Sequence, residues 1–269
     1  MKLLWTSDLH FNFLTPARQE KLFEDVNNSG ASAFLIAGDI ATSKSIIDVL
    51  DRMSKGIKVP IYFVLGNHDY YNGSIIETEV RITKFCEEFK NLIPLFAVDG
   101  PISLSPAVGL VGINGAFGDF GYGNKDTTVE LTDFTAIEEL RITGKEKRIP
   151  VLHNFASMHA YSAKKKLEYA VSDGFEHIIL LMHVPPFDAA SWYKGQQSSP
   201  DFLPYFSNKK IGESIKNVAE DNPNVKFTVL CGHTHGHGSV RVLSNLRIIT
   251  CGSDYRYPSL YILNPENEK

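Results

Sequence analysis

Cysteine is scarce in this chain: Cys86, Cys231 and Cys251 are the only three in 269 residues. An odd, sparse count argues against a disulfide framework and for a reducing compartment. Basic charge is not in excess either. Lys plus Arg is 27 against 31 for Asp plus Glu, a formal charge of -4, which argues against nucleic acid as the partner. Strongly apolar stretches such as Ile178 to Met182 fall far short of the roughly 20 residues that span a bilayer. The opening Met1-Lys2-Leu3-Leu4-Trp5-Thr6-Ser7-Asp8 meets a carboxylate too early for the apolar core of a signal peptide. There is no low-complexity tract, no repeat, and no linker rich in Pro, Gly or Ser. These absences leave a soluble cytoplasmic protein, one domain over residues 1–269, with no membrane partner. Hydrophobic residues at 43% and charged residues at 22% supply its core and its surface.

Strand and helix signals alternate along the first third. Short apolar runs at Lys2 to Ser7, Ala33 to Ala37 and Val59 to Leu65 read as strands. Between them, Thr15-Pro16 opens one helix and Ile46, Ile47, Leu50 and Met53 mark another. Ile75 to Phe89 carries a third helical pattern. This is the βαβ signal, which favours parallel pairing. Further on, Val108 to Ile113, Val151-Leu152, Ile178 to Met182 and Val225 to Leu230 read as strands. Asp133 reads as the cap of a short helix, and helices follow at Ser162 to Ser172 and around Ile211, Ile215 and Val218. Ser239 to Leu243, Leu246 to Cys251 and Ser259 to Leu263 read as strands joined by turns, with antiparallel pairing. Two stacked sheets with helices outside are expected.

Chemistry gathers where strands end. Asp8 and His10 follow the first, Asp39 the second, Asn67 and His68 the third. His183 follows a later strand, and His233 and His235 another. In open α/β folds the carboxyl ends of strands form the ligand-binding edge. Leaving His68 aside, two carboxylates, one carboxamide and four imidazoles would converge there. Such oxygen and nitrogen donors suit Mn, Fe, Zn, Co or Ni, not a closed cysteine zinc site. Seven ligands exceed one tetrahedral ion and suit two ions sharing a carboxylate. His233 and His235 alternate along the chain, so an extended backbone points both to one side; the period leaves open whether they share an ion.

Asp8-Leu9-His10, Gly38-Asp39, Gly66-Asn67-His68-Asp69, His183 and Gly232-His233-Thr234-His235, in that order, resemble the five signature blocks of the calcineurin-like metallophosphoesterases. The resemblance runs from residue 8 to residue 235. It implies an α/β fold, a four-layer α-β-β-α sandwich with two mixed β-sheets. It implies that Asp8, His10 and His235 hold one metal, that Asn67, His183 and His233 hold the other, and that Asp39 bridges both. A metal-bridging hydroxide would attack phosphorus, Asn67 would help neutralise the phosphoryl oxygens, and His68 would assist the leaving group.

The substrate class implied is a small-molecule or nucleotide-type phosphate mono- or diester. The family's Ser/Thr protein phosphatases carry Gly-Asp-x-x-Asp-Arg-Gly, whereas this chain has Gly38-Asp39-Ile40-Ala41-Thr42. It therefore lacks the aspartate that pairs with the catalytic histidine in those enzymes. The competing reading is a non-catalytic scaffold that keeps the metal site, although such members tend to lose ligands or the His68 equivalent. Asp69, Phe117, Trp192 and Tyr193 are further candidates for substrate contact, and loops 115–123 and 187–204 for the rim of the cleft.

Overall fold

A computed structural model describes residues 1–266. The chain opens with strand β1 (Leu3–Thr6), helix α1 (Pro16–Asn28), β2 (Ala33–Ala37), α2 (Ile46–Gly56), β3 (Ile61–Val64), α3 (Ile75–Cys86) and β4 (Leu92–Pro94). A hairpin of β5 (Ile102–Ser105) and β6 (Val108–Gly112) follows. Then come α4 (Asp133–Ala136), the long α5 (Lys145–Ser172) and β7 (His177–Leu181). A two-residue-arm hairpin, β8 (Trp192–Tyr193) and β9 (Gln196–Gln197), precedes α6 (Leu203–Phe206) and α7 (Lys209–Asp221). The chain closes with β10 (Lys226–Cys231), β11 (Gly238–Leu243), β12 (Leu246–Thr250) and β13 (Tyr261–Leu263).

Two mixed sheets result. The first has the order β13-β1-β2-β3-β4, with β13 antiparallel and the other pairings parallel. The second has the order β11-β12-β10-β7-β6-β5, parallel in its middle and antiparallel at both edges.

The central strands are apolar throughout because both of their faces are covered. Side chains alternate between faces, so each strand feeds two cores. Leu3 and Trp5 point into the layer between the sheets, where they meet Leu181, Leu230 and Ile249. Leu4, Phe34 and Ile36 point outward to Leu22, Phe23 and Ile46 of α1 and α2. In the second sheet Ile179 and Leu181 face inward, while Ile178 and Leu180 pack on Leu167, Ile211 and Ile215 of α5 and α7. The layers are helix, sheet, sheet, helix, as the family resemblance implied. Among the described residues no helix is long and apolar enough to cross a membrane.

Three expectations need correction. Val151 and Leu152 lie inside α5, not in a strand. The pair looks strand-like after Pro150, but Leu152, Ala156, Ala163, Leu167 and Ala170 form a buried face at helical spacing. Asp133 is the first residue of α4 rather than its cap; Thr132 holds that position. The three terminal strands do not pair with one another in series. β11 and β12 do, but β12 also lies parallel to β10, and β13 crosses to the first sheet beside β1. The short β4 and β5 carry too few residues to show a period.

Lys166 sits on the buried face of α5, only 5% exposed. Its Nζ donates to the carbonyls of Leu95 (2.8 Å) and Gly112 (2.9 Å). It thereby ties the end of β4 in one sheet to the end of β6 in the other. Burial pulls its pKa down to about 8, against the opposing pull of Asp99. An unfolded lysine titrates near 10.4. Between those values the unfolded chain binds more protons, so this group makes stability rise with pH. Relative to Lys166→Met, the wild-type protein should gain up to about 3 kcal/mol between pH 7.5 and pH 10.5. Urea unfolding at the two pH values measures this. A difference that stays constant or shrinks would contradict it.

Candidate metal centre

The parallel strands β1, β2, β3, β7 and β10 all end at one edge, and the residues after them converge there. The chain must turn sharply as it leaves each strand. Asp8, His10, Asp39, His233 and His235 all adopt positive φ, between 44° and 68°. That region costs a non-glycine residue roughly 1–2 kcal/mol. Bonds between strand ends hold it in place. Asp8 N donates to Gly38 O (3.0 Å), His10 N to Asp39 O (2.9 Å), and Gly232 N to His183 O (2.9 Å).

Glycine permits the close approach at two of these ends. A Cβ on Gly66 would stand 2.2 Å from Asp39 Oδ1, and one on Gly232 would stand 1.9 Å from Ser7 Oγ. Asp69 locks the arrangement from below. It is fully buried and accepts the N–H groups of Ile40 (2.8 Å), Ala41 (2.8 Å) and Gly66 (2.9 Å).

The side chains form two groups. His10 Nε2 lies 3.5 Å from His235 Nε2, and His235 Nε2 lies 3.5 Å from Asp8 Oδ1. Asn67 Oδ1 lies 3.2 Å from His183 Nε2 and 3.1 Å from His233 Nδ1. Asp39 stands between them, with Oδ1 3.4 Å from His183 Nε2 and Oδ2 3.8 Å from His10 Nε2. His233 and His235 therefore part company. Their left-handed backbone redirects the alternation, and each imidazole joins a different group.

The chemistry of these atoms fits cations. His183 Nδ1 lies 2.7 Å from the carbonyl of Ala37, so Nδ1 carries the proton and Nε2 presents a lone pair. That lone pair meets two more electron-rich oxygens, of Asn67 and Asp39. Asn67 has no freedom to turn its amide around, because its Nδ2 donates to Asp133 Oδ1 at 2.9 Å. Without a metal, a proton must relieve the crowding. Burial lowers the basicity of His183, but the Asp39 charge and hydrogen bond outweigh it and raise its pKa to about 9. Burial also opposes the charge on Asp39, yet His183, His68 and His10 hold its pKa well below the usual carboxylate range. His10 goes the other way, pushed down to about 4 by burial despite Asp39 and Asp8. Asp8, His10 and His235 are mutually close enough to share one ion, as are Asp8, Asp39 and His183.

A cleft of about 680 Å³ opens over the two groups. It is lined by Asp39, Asp133 and Asp254, and among the described residues Lys194 is the one lysine or arginine lining it. A phosphate entering here meets more fixed negative than positive charge unless cations are present. His68 is partly exposed in the cleft. Its ring stacks on Tyr71 at 4.2 Å and meets His10 edge-on at 4.6 Å, and its Nε2 is 4.0 Å from Asp39 Oδ2.

The four candidates for substrate contact separate. Tyr193 lines the cleft. Phe117 does not; it is buried between Tyr70 and Phe155. Asp69 is sealed beneath the strand ends by its three backbone bonds. Trp192 packs on Gly236 and Gly238, where any Cβ would collide with it, and so seats the β8–β9 hairpin over the site. Residues 193–195 of the second loop reach the cleft, whereas loop 115–123 borders a separate cavity on the α5 and α7 side.

Sequence reasoning missed Tyr71, Asp133 and Tyr255. Tyr71 OH donates to Asp133 Oδ1 (2.6 Å), joining His68's stacking partner to Asn67's anchor. Tyr255 lies 4.5 Å from the His10 ring and 4.8 Å from the His235 ring. Tyr71 and Tyr255 lie in the connections after β3 and β12, but neither is a metal-ligand type or repeats a spacing, and Asp133 follows no strand, so no local signal marked them.

A family model described as calcineurin-like phosphoesterase matches residues 1–237. No curated protein matches the chain. Among solved structures, phosphopantetheinyl hydrolase from Mycobacterium tuberculosis superposes with a TM-score of 0.67 at 14% identity, covering 93% of this chain and 89% of that one. The TT1561 protein of Thermus thermophilus gives 0.53 at 15% identity, covering 98% of both chains. A dimetal phosphatase from Danio rerio gives 0.55 at 14% identity, covering 94% of this chain and 87% of that one. Likeness at such identities speaks for the fold, but the family match spans the strand-end blocks themselves, and the chain belongs to the calcineurin-like phosphoesterases.

Proposed function

We propose that the chain, as one domain, hydrolyses small-molecule phosphate mono- or diesters and holds two divalent transition-metal ions to do so. The observation that carries this is the crowding of electron-rich atoms on His183, Asn67 and Asp39, next to a second group on Asp8, His10 and His235. Asp8, His10 and His235 would hold one ion; Asn67, His183 and His233 would hold the other. Asp39 serves both, since its two oxygens face different groups. When bound, such ions supply Lewis-acid charge and lower the pKa of a coordinated water. The three buried, unpaired thiols suit a reducing compartment such as the cytoplasm.

The chain's own groups do the rest. Asp133 anchors Asn67 Nδ2, so the carboxamide keeps one orientation, with Oδ1 toward His183 and His233 where an ion would sit. His68, held flat by Tyr71, stands at the open side and gives a proton to the departing oxygen. An imidazole suits that task because its unperturbed pKa is near 6.5. The similar structures are named for different activities, so the substrate class rests on this chain's own site.

Metal comes first among the tests. Protein purified without chelator and loaded with Mn should approach two ions per chain by elemental analysis. Asp39→Ala should release at least one, and so should Gly66→Ala, whose new methyl would displace the Asp39 carboxylate. A wild-type ratio of one or less would refute the two-ion reading.

Chemistry is tested at His68. His68→Ala should keep its metal and its fold. Its kcat should fall about 10²–10⁴-fold on alkyl phosphates, whose leaving group needs a proton, and less on nitrophenyl esters. An equal, small loss on every substrate would remove His68 from the role. Failure of the metal-loaded wild type to turn over any ester would favour the scaffold reading.

The Asn67 anchor has its own signature. Asp133→Leu frees the carboxamide and should weaken metal affinity about 10–100-fold. Asp133→Asn retains an acceptor oxygen and should recover most of it. Equal losses in the two variants, read by metal titration, would show that Asp133 merely supports packing.

A further inference from the structure

A second cavity of about 330 Å³ adjoins the cleft, lined by Tyr193, Ser198, Ser199, Phe202 and Phe206. Tyr193 and Phe206 line both spaces. Phe206 also meets the His233 ring edge-on at 4.8 Å and Phe202 at 5.2 Å. An aromatic strip thus runs from a metal-centre histidine outward into this cavity. Phe202 is 38% and Tyr193 49% exposed. Large aromatic side chains left open beside a reaction centre are a ligand surface more often than idle surface.

The strip is built, not incidental. Lys194 and Gly195 form the tip of the β8–β9 hairpin, both at positive φ (48° and 76°), which turns Tyr193 toward the cleft. Trp192 clamps the hairpin's base on the Gly236–Gly238 segment, which also carries the chain away from His235. Anything that seats the histidine turn therefore seats the hairpin as well.

We propose that the substrate is a phosphate ester bearing an uncharged, apolar arm, which lies in this cavity against Tyr193, Phe202 and Phe206. This rests on the phosphoesterase reading above and narrows it. The volume is about twice the roughly 150 Å³ that accommodates benzene. A nucleobase fits the lining less well. Its edge offers several donors and acceptors, and among the described residues no carboxylate, carboxamide or cationic side chain lines the cavity. The hydroxyl of Ser198 already accepts a hydrogen bond from Ser191 at 2.9 Å. A base would lose its water bonds on entry and find few replacements.

The test uses the Mn-loaded protein and two probe series. One is n-alkyl phosphates together with n-alkyl 4-nitrophenyl phosphates, methyl to hexyl, followed by product release. The other is n-alkyl phosphonates, which cannot be hydrolysed, followed by calorimetric binding; a nucleoside phosphonate is included. In the wild type, kcat/KM for the hydrolysed series and affinity for the phosphonates should both rise about fourfold per added methylene until the cavity is filled. Phe202→Ser should flatten both slopes, with the hexyl members losing most. Turnover with no dependence on chain length, or tighter binding of the nucleoside than of the hexyl phosphonate, overturns the apolar arm and leaves the phosphoesterase reading standing. A phosphonate slope with no turnover of any ester supports the cavity's role and removes the hydrolytic reading. Absence of both removes both.

Discussion

The structure turns on one electrostatic problem: too many lone pairs meet in too small a buried space. The Nε2 of His183, the carboxamide oxygen of Asn67 and a carboxylate oxygen of Asp39 approach one another, with His183 Nε2 3.2 Å from the first oxygen and 3.4 Å from the second. Atoms of like polarity do not settle together in a low-dielectric interior unless positive charge joins them. A proton on His183 is the least the site can accept, and its raised basicity says so. Two cations would satisfy the same geometry more fully, because they would also engage His10, His235 and Asp8. The surrounding features make sense as means of enforcing this crowding.

Enforcement needs rigidity, and the rigidity is distributed. Five residues sit in left-handed backbone at strand ends, each disfavoured on its own. They persist because the strands behind them are fixed on both faces, by the inter-sheet layer on one side and a helix layer on the other. Asp69 then ties the β2 and β3 ends through three backbone N–H groups. Burial and the nearby Asp39 push its pKa up to about 7, offset in part by the donors at Ala41 and Gly66. A carboxylate that raises its own cost to hold two loops together shows how tightly those loops must be held. Glycine at 66 and 232 completes the arrangement by letting backbone pass where no side chain fits.

How much of this the sequence displayed depended on the range of each interaction. The central strands were legible because burial on both faces leaves unbroken apolar runs such as Ile178 to Met182. The seven ligand-type residues were legible because each follows such a run. What failed was whatever depended on partners distant in sequence. Residues 151–152 looked like strand until the spacing of Leu152, Ala156 and Ala163 is seen against α7 and the sheet. β13 crosses to β1, a pairing set by the stacking of the sheets rather than by the three residues Tyr261–Leu263. Asp133 looked like a cap, and only the fold brings it 2.9 Å from Asn67. The His233–His235 alternation left open whether the two rings share an ion; both reach the one cleft, and their left-handed backbone sends each to a different group.

His68 stands where these constraints meet. In the family's protein phosphatases an aspartate engages the equivalent histidine. Here Ala41 and Thr42 occupy that stretch, and among the described residues no side chain hydrogen-bonds the His68 ring nitrogens; Asp39 comes no nearer than 4.0 Å. Tyr71 holds the ring by its face instead, at 4.2 Å and 23° from parallel. Stacking fixes the plane of an imidazole without fixing which nitrogen carries the proton. The hydroxyl of Tyr71 is itself tied to Asp133, the residue that orients Asn67. One buried carboxylate therefore governs two things at once, the direction of a ligand oxygen and the seat of the ring at the open side.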